Sequence, residues 1–165
     1  LVGFGLMRST SINNINLEYP KLKSLELIGN QIKIDRLRVS SHNMLELIIE
    51  ETEIADITLD TPNLHHLDLD MTGGRIPTNL TPMPSLRILK LKVEGKQFNQ
   101  TILSKFPNVT DFTLSFSSYI ALGDNINLFD QLKNLKKITL KNTYIPNLKS
   151  YNSYLRRNRI KVIVL

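Results

Sequence analysis

Charged side chains recur at every second position in several short, otherwise apolar segments. His66, Asp68 and Asp70 form one such group, and side chains two residues apart point to the same face of a strand. Imidazole and carboxylate groups placed together could ligate a divalent cation or transfer a proton. A metal site needs further ligands, however, and His65 points the other way. We therefore expect a plain surface histidine at position 66, with no metal and no cofactor.

The sequence carries no recognisable catalytic motif. No serine, threonine or lysine stands in the context of a known nucleophile, and no glycine-rich loop is suited to cradle a phosphate. The chain also has no cysteine, which excludes disulfides, thiolate metal sites and a cysteine nucleophile. We expect a protein that is not an enzyme and that uses its charged positions for binding.

An internal repeat organises these positions. Apolar residues recur in the pattern h-x-x-h-x-h, where h is apolar, and the second and third of them fall on one face of a short strand. Stacked copies would share one core, as in leucine-rich repeats, whose period is about 20 to 29 residues. Eight segments of the chain fit the pattern: Leu1/Phe4/Leu6, Leu22/Leu25/Leu27, Met44/Leu47/Ile49, Leu64/Leu67/Leu69, Leu86/Leu89/Leu91, Val109/Phe112/Leu114, Leu135/Ile138/Leu140 and Ile160/Ile163/Leu165.

The connections between these segments carry patterns of their own. Offset apolar residues in the first half of the chain favour short strands on the convex side. Later connections are longer, and the helical spacing of apolar residues in 97–106 and 126–132 predicts helical turns there. Prolines two residues before a main segment punctuate the repeat. The offset segments are Ile12/Ile15/Leu17, Ile34/Leu37/Val39 and Ile54/Ile57/Leu59, and the prolines are Pro20, Pro62, Pro84 and Pro107.

These patterns predict the fold. We expect an α/β protein, a right-handed leucine-rich-repeat solenoid with a parallel concave sheet, which forms a single domain over residues 1–165. Both ends stop within the pattern without a polar capping repeat, so we expect truncated ends. A terminal segment such as Ile160–Leu165 could then pair with another chain, including a second copy.

The residues that alternate with the buried strand positions are expected on the concave face, the usual binding surface of a solenoid. Neighbouring strands lie only about 4.8 Å apart, so the carboxylates of the third and fourth segments would form one acidic patch for a basic partner segment. Lysines of later segments would form a patch for an acidic one, and isoleucines would mark the contact centre. The predicted partner-binding residues are Glu26, Ile28, Glu46, Ile48, Glu50, His66, Asp68, Asp70, Ile88, Lys90, Lys92, Lys137 and Lys141.

Charge is distributed unevenly along the chain. Residues 1–82 hold 7 basic and 11 acidic residues, a net charge of −4, whereas residues 83–165 hold 14 and 4, a net charge of +10. A surface that coats nucleic acid would not leave one half acidic, so we expect a protein partner and no nucleic acid.

No apolar run approaches the roughly 18 residues of a membrane span, so we expect no membrane partner.

Three segments carry a family resemblance. The sequences LRVSSHNMLELIIEE (37–51), ITLDTPNLHHLDLD (57–70) and LSKFPNVTDFTLSF (103–116) resemble the repeat region of plant F-box/leucine-rich-repeat proteins. The resemblance implies the substrate-binding repeats of a cullin-type ubiquitin-ligase receptor, in the cytoplasm or nucleus. No F-box helix bundle precedes the repeats in this sequence, so the resemblance implies the recognition part alone.

Other interpretations stay open. TGGRIPTNL (72–80) resembles a turn of plant extracellular leucine-rich repeats, and the irregular spacing is shared by the repeats of plant intracellular immune receptors. Glycosylation at the sequons of Asn79, Asn99 or Asn108 would favour an extracellular protein. A structural module that self-associates through its ends is a further alternative, which a concentration-dependent mass in solution would reveal.

Overall fold

The protein is a β-solenoid built on a parallel sheet. The computed structural model describes residues 2–6, 11–70, 80–94, 100–121, 131–144 and 148–165. Within these ranges nine strands form one sheet, in which neighbouring strands pair in parallel. The strands are β1 Val2–Leu6, β2 Ser11–Glu18, β3 Ser24–Ser40, β4 Glu46–Asp60, β5 His66–Asp70, β6 Ile88–Val93, β7 Asp111–Ala121, β8 Lys137–Tyr144 and β9 Lys161–Val164.

Successive main segments of the repeat are neighbouring strands. The order across the sheet is β1-β3-β4-β5-β6-β7-β8-β9, and β2 pairs with β3 outside this path. The predicted stacking of the internal repeats is confirmed, because their apolar positions are register partners and are fully buried. One such rung consists of Leu25, Leu47, Leu67 and Leu89.

Strands β3 and β4 each contribute to two ladders. The register of β3 against β4 shifts between Ile28 and Ile32, and the two halves of β3 pair with β1 and β2 respectively. The offset segments therefore form strands, as the sequence predicts, and they build a second ladder from β2, β3 and β4. Buried side chains of both ladders belong to one core cluster. Connections of about ten residues rich in Ile and Val favour this strand pairing over a helix.

The chain bends two residues after the last apolar position of the pattern. Gly29 occupies this place in β3, where a Cβ atom would lie 2.8 Å from Ile32 Cδ1 and 2.9 Å from Thr52 Oγ1. Glu51 and Asn142 occupy the same place in β4 and β8, with φ angles of 52° and 54°. This left-handed conformation is unfavourable for a residue with a Cβ atom, so the bend imposes local strain.

A repeating turn leads into each of the main strands from β3 to β8. The N–H of Leu64 donates to the carbonyl of Thr61 at 3.0 Å, and Pro62 lies at the second turn position, where its fixed φ is favourable. Asn63 then donates its side-chain amide to the carbonyl of His42 in the preceding turn, at 2.8 Å. These amides link consecutive repeats, a role that the sequence pattern did not reveal. Equivalent bonds join Asn43 to Pro20, Asn108 to Pro84 and Asn134 to Pro107.

The register of both terminal strands differs from the prediction. In β9, Val162 rather than Ile163 is the partner of Ile138, and Val162 packs against the core. In β1, the partner of Phe4 is Leu27, two residues from the predicted one. Both segments carry closely spaced apolar residues, so alternation alone does not determine which residues align with the core positions.

Helix is a minor component of the described ranges. A 3-10 helix spans Gln100–Lys105 between β6 and β7, and an α-helix, α1, spans Leu148–Arg157 before β9. The expected α/β class is therefore corrected to a mostly-strand solenoid with few helices. The sequence did not predict α1, which contributes the buried side chain of Leu155. In the segment 126–132, for which helical turns were predicted, residues 126–130 lie outside the described ranges.

Candidate partner-binding face

The main ladder has one face on the core and a second, which we call the open face. The register aligns the residues of the open face in rows that run across the strands. All thirteen residues predicted to bind a partner lie in these rows. The first row is Ser24, Glu46, His66, Ile88, Asp111 and Lys137, and the second is Glu26, Ile48, Asp68, Lys90, Thr113 and Thr139. The third continues the alternation, with the partners Ile28 and Glu50 on β3 and β4 and the partners Asp70, Lys92, Ser115 and Lys141 on β5 to β8.

Carboxylates of β5 pair with ammonium groups of β6 across the open face. Lys90 Nζ lies 2.9 Å from Asp68 Oδ2, and Lys92 Nζ lies 2.7 Å from Asp70 Oδ2. These distances are typical of charge-assisted hydrogen bonds. The acidic patch predicted from the sequence is thus partly neutralised within the protein itself, which reduces the negative charge available to a basic partner.

Asp70 is buried, with 7% of its side chain exposed, whereas 45% of the Lys92 side chain is exposed. A buried carboxylate that loses its cation is costly, so Lys92 stabilises the fold as well as contributing charge to the face. The hydrogen bond to Asp70 raises the pKa of Lys92 above its ordinary value of 10.5. The charges of Asp70, Glu51 and Glu50 add to this increase, and burial opposes it.

His66 is held in the sheet rather than being a plain surface side chain as expected. Its Nδ1 lies 2.8 Å from Glu46 Oε1, and 19% of the side chain is exposed. Glu46 also accepts a hydrogen bond from Ser24 Oγ at 3.3 Å. The Nε2 atom of His66 is buried, and no hydrogen-bond partner for it occurs among the described residues. His66 therefore fixes the position of Glu46 in the first row.

A cavity of about 590 Å³ lies on the open face. It is lined by residues from every strand from β4 to β9, including both of these. We call the part lined by β4 and β5 the acidic side and the part lined by β6 to β8 the lysine side. The acidic side contains Glu50, Glu51, Asp68 and Asp70, and the lysine side contains Lys90, Lys92, Thr113, Ser115, Lys137, Thr139 and Lys141.

The lysines of β8 are the more available cations of the cavity. Lys137 Nζ is 3.8 Å from Asp111 Oδ1, which is longer than a charge-assisted hydrogen bond. Lys141 forms neither a hydrogen bond nor an ion pair with the part of the chain that the structure describes. Both residues are exposed. They are therefore better placed to meet a partner than Lys90 and Lys92.

Apolar side chains border the charged rows. Ile28 and Ile88 are 47% and 40% exposed, respectively, and Ile48 is half-buried. These residues place apolar area beside paired charges, a combination that is common at the centre of protein interfaces.

Some cavity residues were not among the predicted binding residues. The hydroxyl residues Thr113, Ser115 and Thr139 lie on the open face, where the same alternation as that of the lysines places them, although the predicted binding residues did not include them. Ile163 was placed in the core by the incorrect register of β9. Glu51 lies at the bend, and the residues at this place of the repeat share no side-chain type that would mark it as a binding position.

Of the three sequon asparagines, Asn108 is among the described residues. Asn79 and Asn99 lie outside the described residues. Asn108 donates through Nδ2, the atom that would carry a glycan, to the carbonyl of Pro84 at 2.8 Å, and its Oδ1 accepts from Asn134 at 2.9 Å. In this fold the Asn108 amide therefore links two turns.

Across the described residues, no three His, Cys, Asp or Glu side chains are arranged to hold a metal ion. None of the helices described has both the length and the apolar character that crossing a membrane requires. Comparisons with protein-family models, curated proteins and solved structures found no match to this chain.

Proposed function

We propose that the chain is a protein-recognition module that binds its partner on the open face. The observation that carries this proposal is the cavity across β4 to β9, with carboxylates on one side and lysines on the other. A hydrogen-bonded parallel sheet keeps the backbone of these groups in fixed rows, so little backbone conformational entropy is lost when a complementary surface docks. Ile28 and Ile88 add exposed apolar area to the same face.

A protein partner suits this surface better than a nucleic acid. The carboxylates of Glu50 and Asp68 would repel a phosphodiester backbone that entered the cavity. No aromatic side chain is among the described residues that line the cavity, so bases would find no stacking platform there. A folded or extended polypeptide can instead carry both signs of charge and apolar groups.

We also propose a more specific role, as the target-binding repeat region of an F-box-type ubiquitin-ligase receptor. The turn sequences in 37–51, 57–70 and 103–116, which resemble plant F-box/leucine-rich-repeat proteins, support this role. A solenoid is compatible with it but is not specific to it. Under this proposal the open face binds the target, and the protein acts in the cytoplasm or nucleus.

Charge reversal on the open face tests the recognition proposal. Lys137→Glu/Lys141→Glu reverses two exposed cations of the cavity, and Lys133→Glu/Lys136→Glu reverses two exposed cations of the same repeat outside the cavity. Proteins captured from a native extract by the wild type and the control, but not by the open-face variant, would support the proposal. Equal capture by all three would contradict it. Substitution of Asp70 is less suitable because its burial makes unfolding the expected result.

The ligase role is tested by the half-life of the partner captured through the open face. The 165-residue chain, expressed alone, should compete with the receptor and lengthen that half-life, whereas the Lys137→Glu/Lys141→Glu chain should not. An unchanged half-life in the presence of the wild-type chain would contradict the ligase role and leave the recognition proposal intact.

A further inference from the structure

We infer that the open face recognises an extended peptide segment that carries a carboxylate and a cation about four residues apart. The carboxylate lies over the lysine side of the cavity and the cation over the acidic side. This inference rests on the proposed function and specifies the chemistry of the partner.

The lysine side offers donors in one row. Lys92, Ser115 and Lys141 are consecutive register partners on β6, β7 and β8. With a strand spacing of about 4.8 Å, the Ser115 hydroxyl lies between the two lysine positions. Lys92 directs one N–H to Asp70, and an ammonium group has three donors. A peptide carboxylate over Ser115 can therefore accept hydrogen bonds from this row.

The acidic side retains negative charge for a cation. Asp68 and Asp70 are paired with lysines, but no salt bridge involves Glu50 or Glu51 within the described ranges. Glu50 is half-buried and Glu51 is exposed, and both line the cavity. The bend after Glu50 turns the backbone into the left-handed region at Glu51, and so two adjacent carboxylates border the cavity at the end of the main part of β4.

The distance between the two sides determines the spacing in the peptide. Glu50 lies on β4 and Ser115 on β7, which are separated by three steps of about 4.8 Å, or roughly 14 Å. An extended chain advances about 3.3 to 3.6 Å per residue. A peptide that crosses the strands therefore needs its carboxylate and its cation about four residues apart.

Uniformly charged partners are less suitable for the same surface. A polyanionic peptide would place charge against Glu50 and Glu51, and a polycationic one against Lys137 and Lys141. Like charges in such proximity oppose binding, whereas a segment with both signs in the right order meets complementary charge along its length.

Selection from a phage-displayed library of random peptides of about twelve residues tests this inference, because such peptides exceed the required span. The library is panned on the wild type, on Lys141→Glu, on Glu50→Lys and on the matched control Lys133→Glu, after thermal melts show that each is folded. The wild type and the control should enrich peptides with opposite charges about four residues apart. Both open-face variants should lose this enrichment.

A selected peptide, synthesised with a fluorophore, then provides a dissociation constant by anisotropy. We expect Lys141→Glu to weaken binding about tenfold or more and Lys133→Glu to change it less than twofold. The reason is that a close charge pair contributes more to the binding free energy than an exposed, distant one. A peptide with its carboxylates changed to amides should lose affinity for the wild type as well.

The remaining outcomes separate the inference from the proposed function. Peptides without the charge spacing that still require Lys141 would overturn the inference alone. Peptides that bind every open-face variant as well as the wild type would count against both. No enrichment, or enrichment of uniformly acidic peptides, would also overturn the inference.

Discussion

Lys92 Nζ lies 2.7 Å from Asp70 Oδ2, and of the two partners the carboxylate is buried while the ammonium group is half exposed. The pair therefore has two roles. It stabilises the sheet by satisfying a carboxylate that has little access to water, and it keeps a cation at the surface of the cavity. Lys141, on the other side of Ser115, is exposed and is available for binding.

Removal of the Lys92 ammonium should destabilise the protein. We expect Lys92→Met to lower the free energy of unfolding by about 1 to 2 kcal/mol, because Asp70 loses a charge-assisted hydrogen bond and solvent screens the exposed lysine only in part. Lys90→Met should cost less, since its partner Asp68 is more exposed, at 17% against 7%. Urea denaturation measures both. Equal stability of wild type and Lys92→Met would contradict this assignment.

The contribution of Lys92 to the free energy of unfolding should depend on pH in the alkaline range. The pKa of Lys92 is raised in the folded protein, first by its hydrogen bond to Asp70. Its stabilising effect is therefore complete below its ordinary pKa of 10.5 and is lost as the pH rises through the raised value. The stability difference between wild type and Lys92→Met should be constant from about pH 8 to 10 and smaller above about pH 10.5. A difference that grows with pH would exclude this explanation.

Substitutions at the bend should change the free energy of unfolding in opposite directions at Glu51 and at Gly29. Glu51→Gly should raise the free energy of unfolding by up to about 1 kcal/mol, because glycine tolerates a φ of 52° without a Cβ penalty. Gly29→Ala should lower it by about 1 to 3 kcal/mol, because the new Cβ would lie 2.8 Å from Ile32 Cδ1. Thermal unfolding distinguishes these signs, and a stabilising Gly29→Ala would refute the account of the bend.

The side-chain amides that link consecutive turns, which we call the amide ladder, should contribute to stability. Asn63→Ala removes the hydrogen bond to the His42 carbonyl, and we expect a loss of about 1 kcal/mol. Asn16→Ala is the control, because its amide donates to the exposed Glu18 carboxylate at 3.1 Å and links no turns, so the loss should stay below about 0.5 kcal/mol. Similar losses for the two variants would show that the ladder has no special role.

The internal repeats could be predicted because apolar and polar residues alternate clearly there. Leu47 and Ile49 face the core while Glu46 and Ile48 face outward, and the short connections fix the neighbours of β4. The terminal strands lack this contrast. In residues 160–165 only Lys161 is polar, so two registers satisfy the pattern and the tertiary structure determines which one forms.

The composition of the candidate site was predictable from alternation, whereas its internal ion pairs depend on the strand register. The pattern placed Asp68 and Asp70 on the binding face, yet their neutralisation follows only when each residue is compared with its partner one strand further on, Lys90 or Lys92. The position of Glu51 depends on a left-handed bend, and the residues at this place of the repeat, Gly29, Glu51 and Asn142, share no side-chain type that would mark it. Local backbone geometry thus supplies part of the site that side-chain alternation cannot.

Site-specific photo-crosslinking tests the central claim, that the open face contacts the partner. A benzophenone amino acid replaces either Ile88, which is 40% exposed on the open face, or Leu45, which is 45% exposed outside its rows. Both variants are irradiated in the same native extract. We predict a crosslinked protein partner with the probe at position 88 and none at position 45. Crosslinking at position 45 alone, or with equal yield at both positions, would contradict the account.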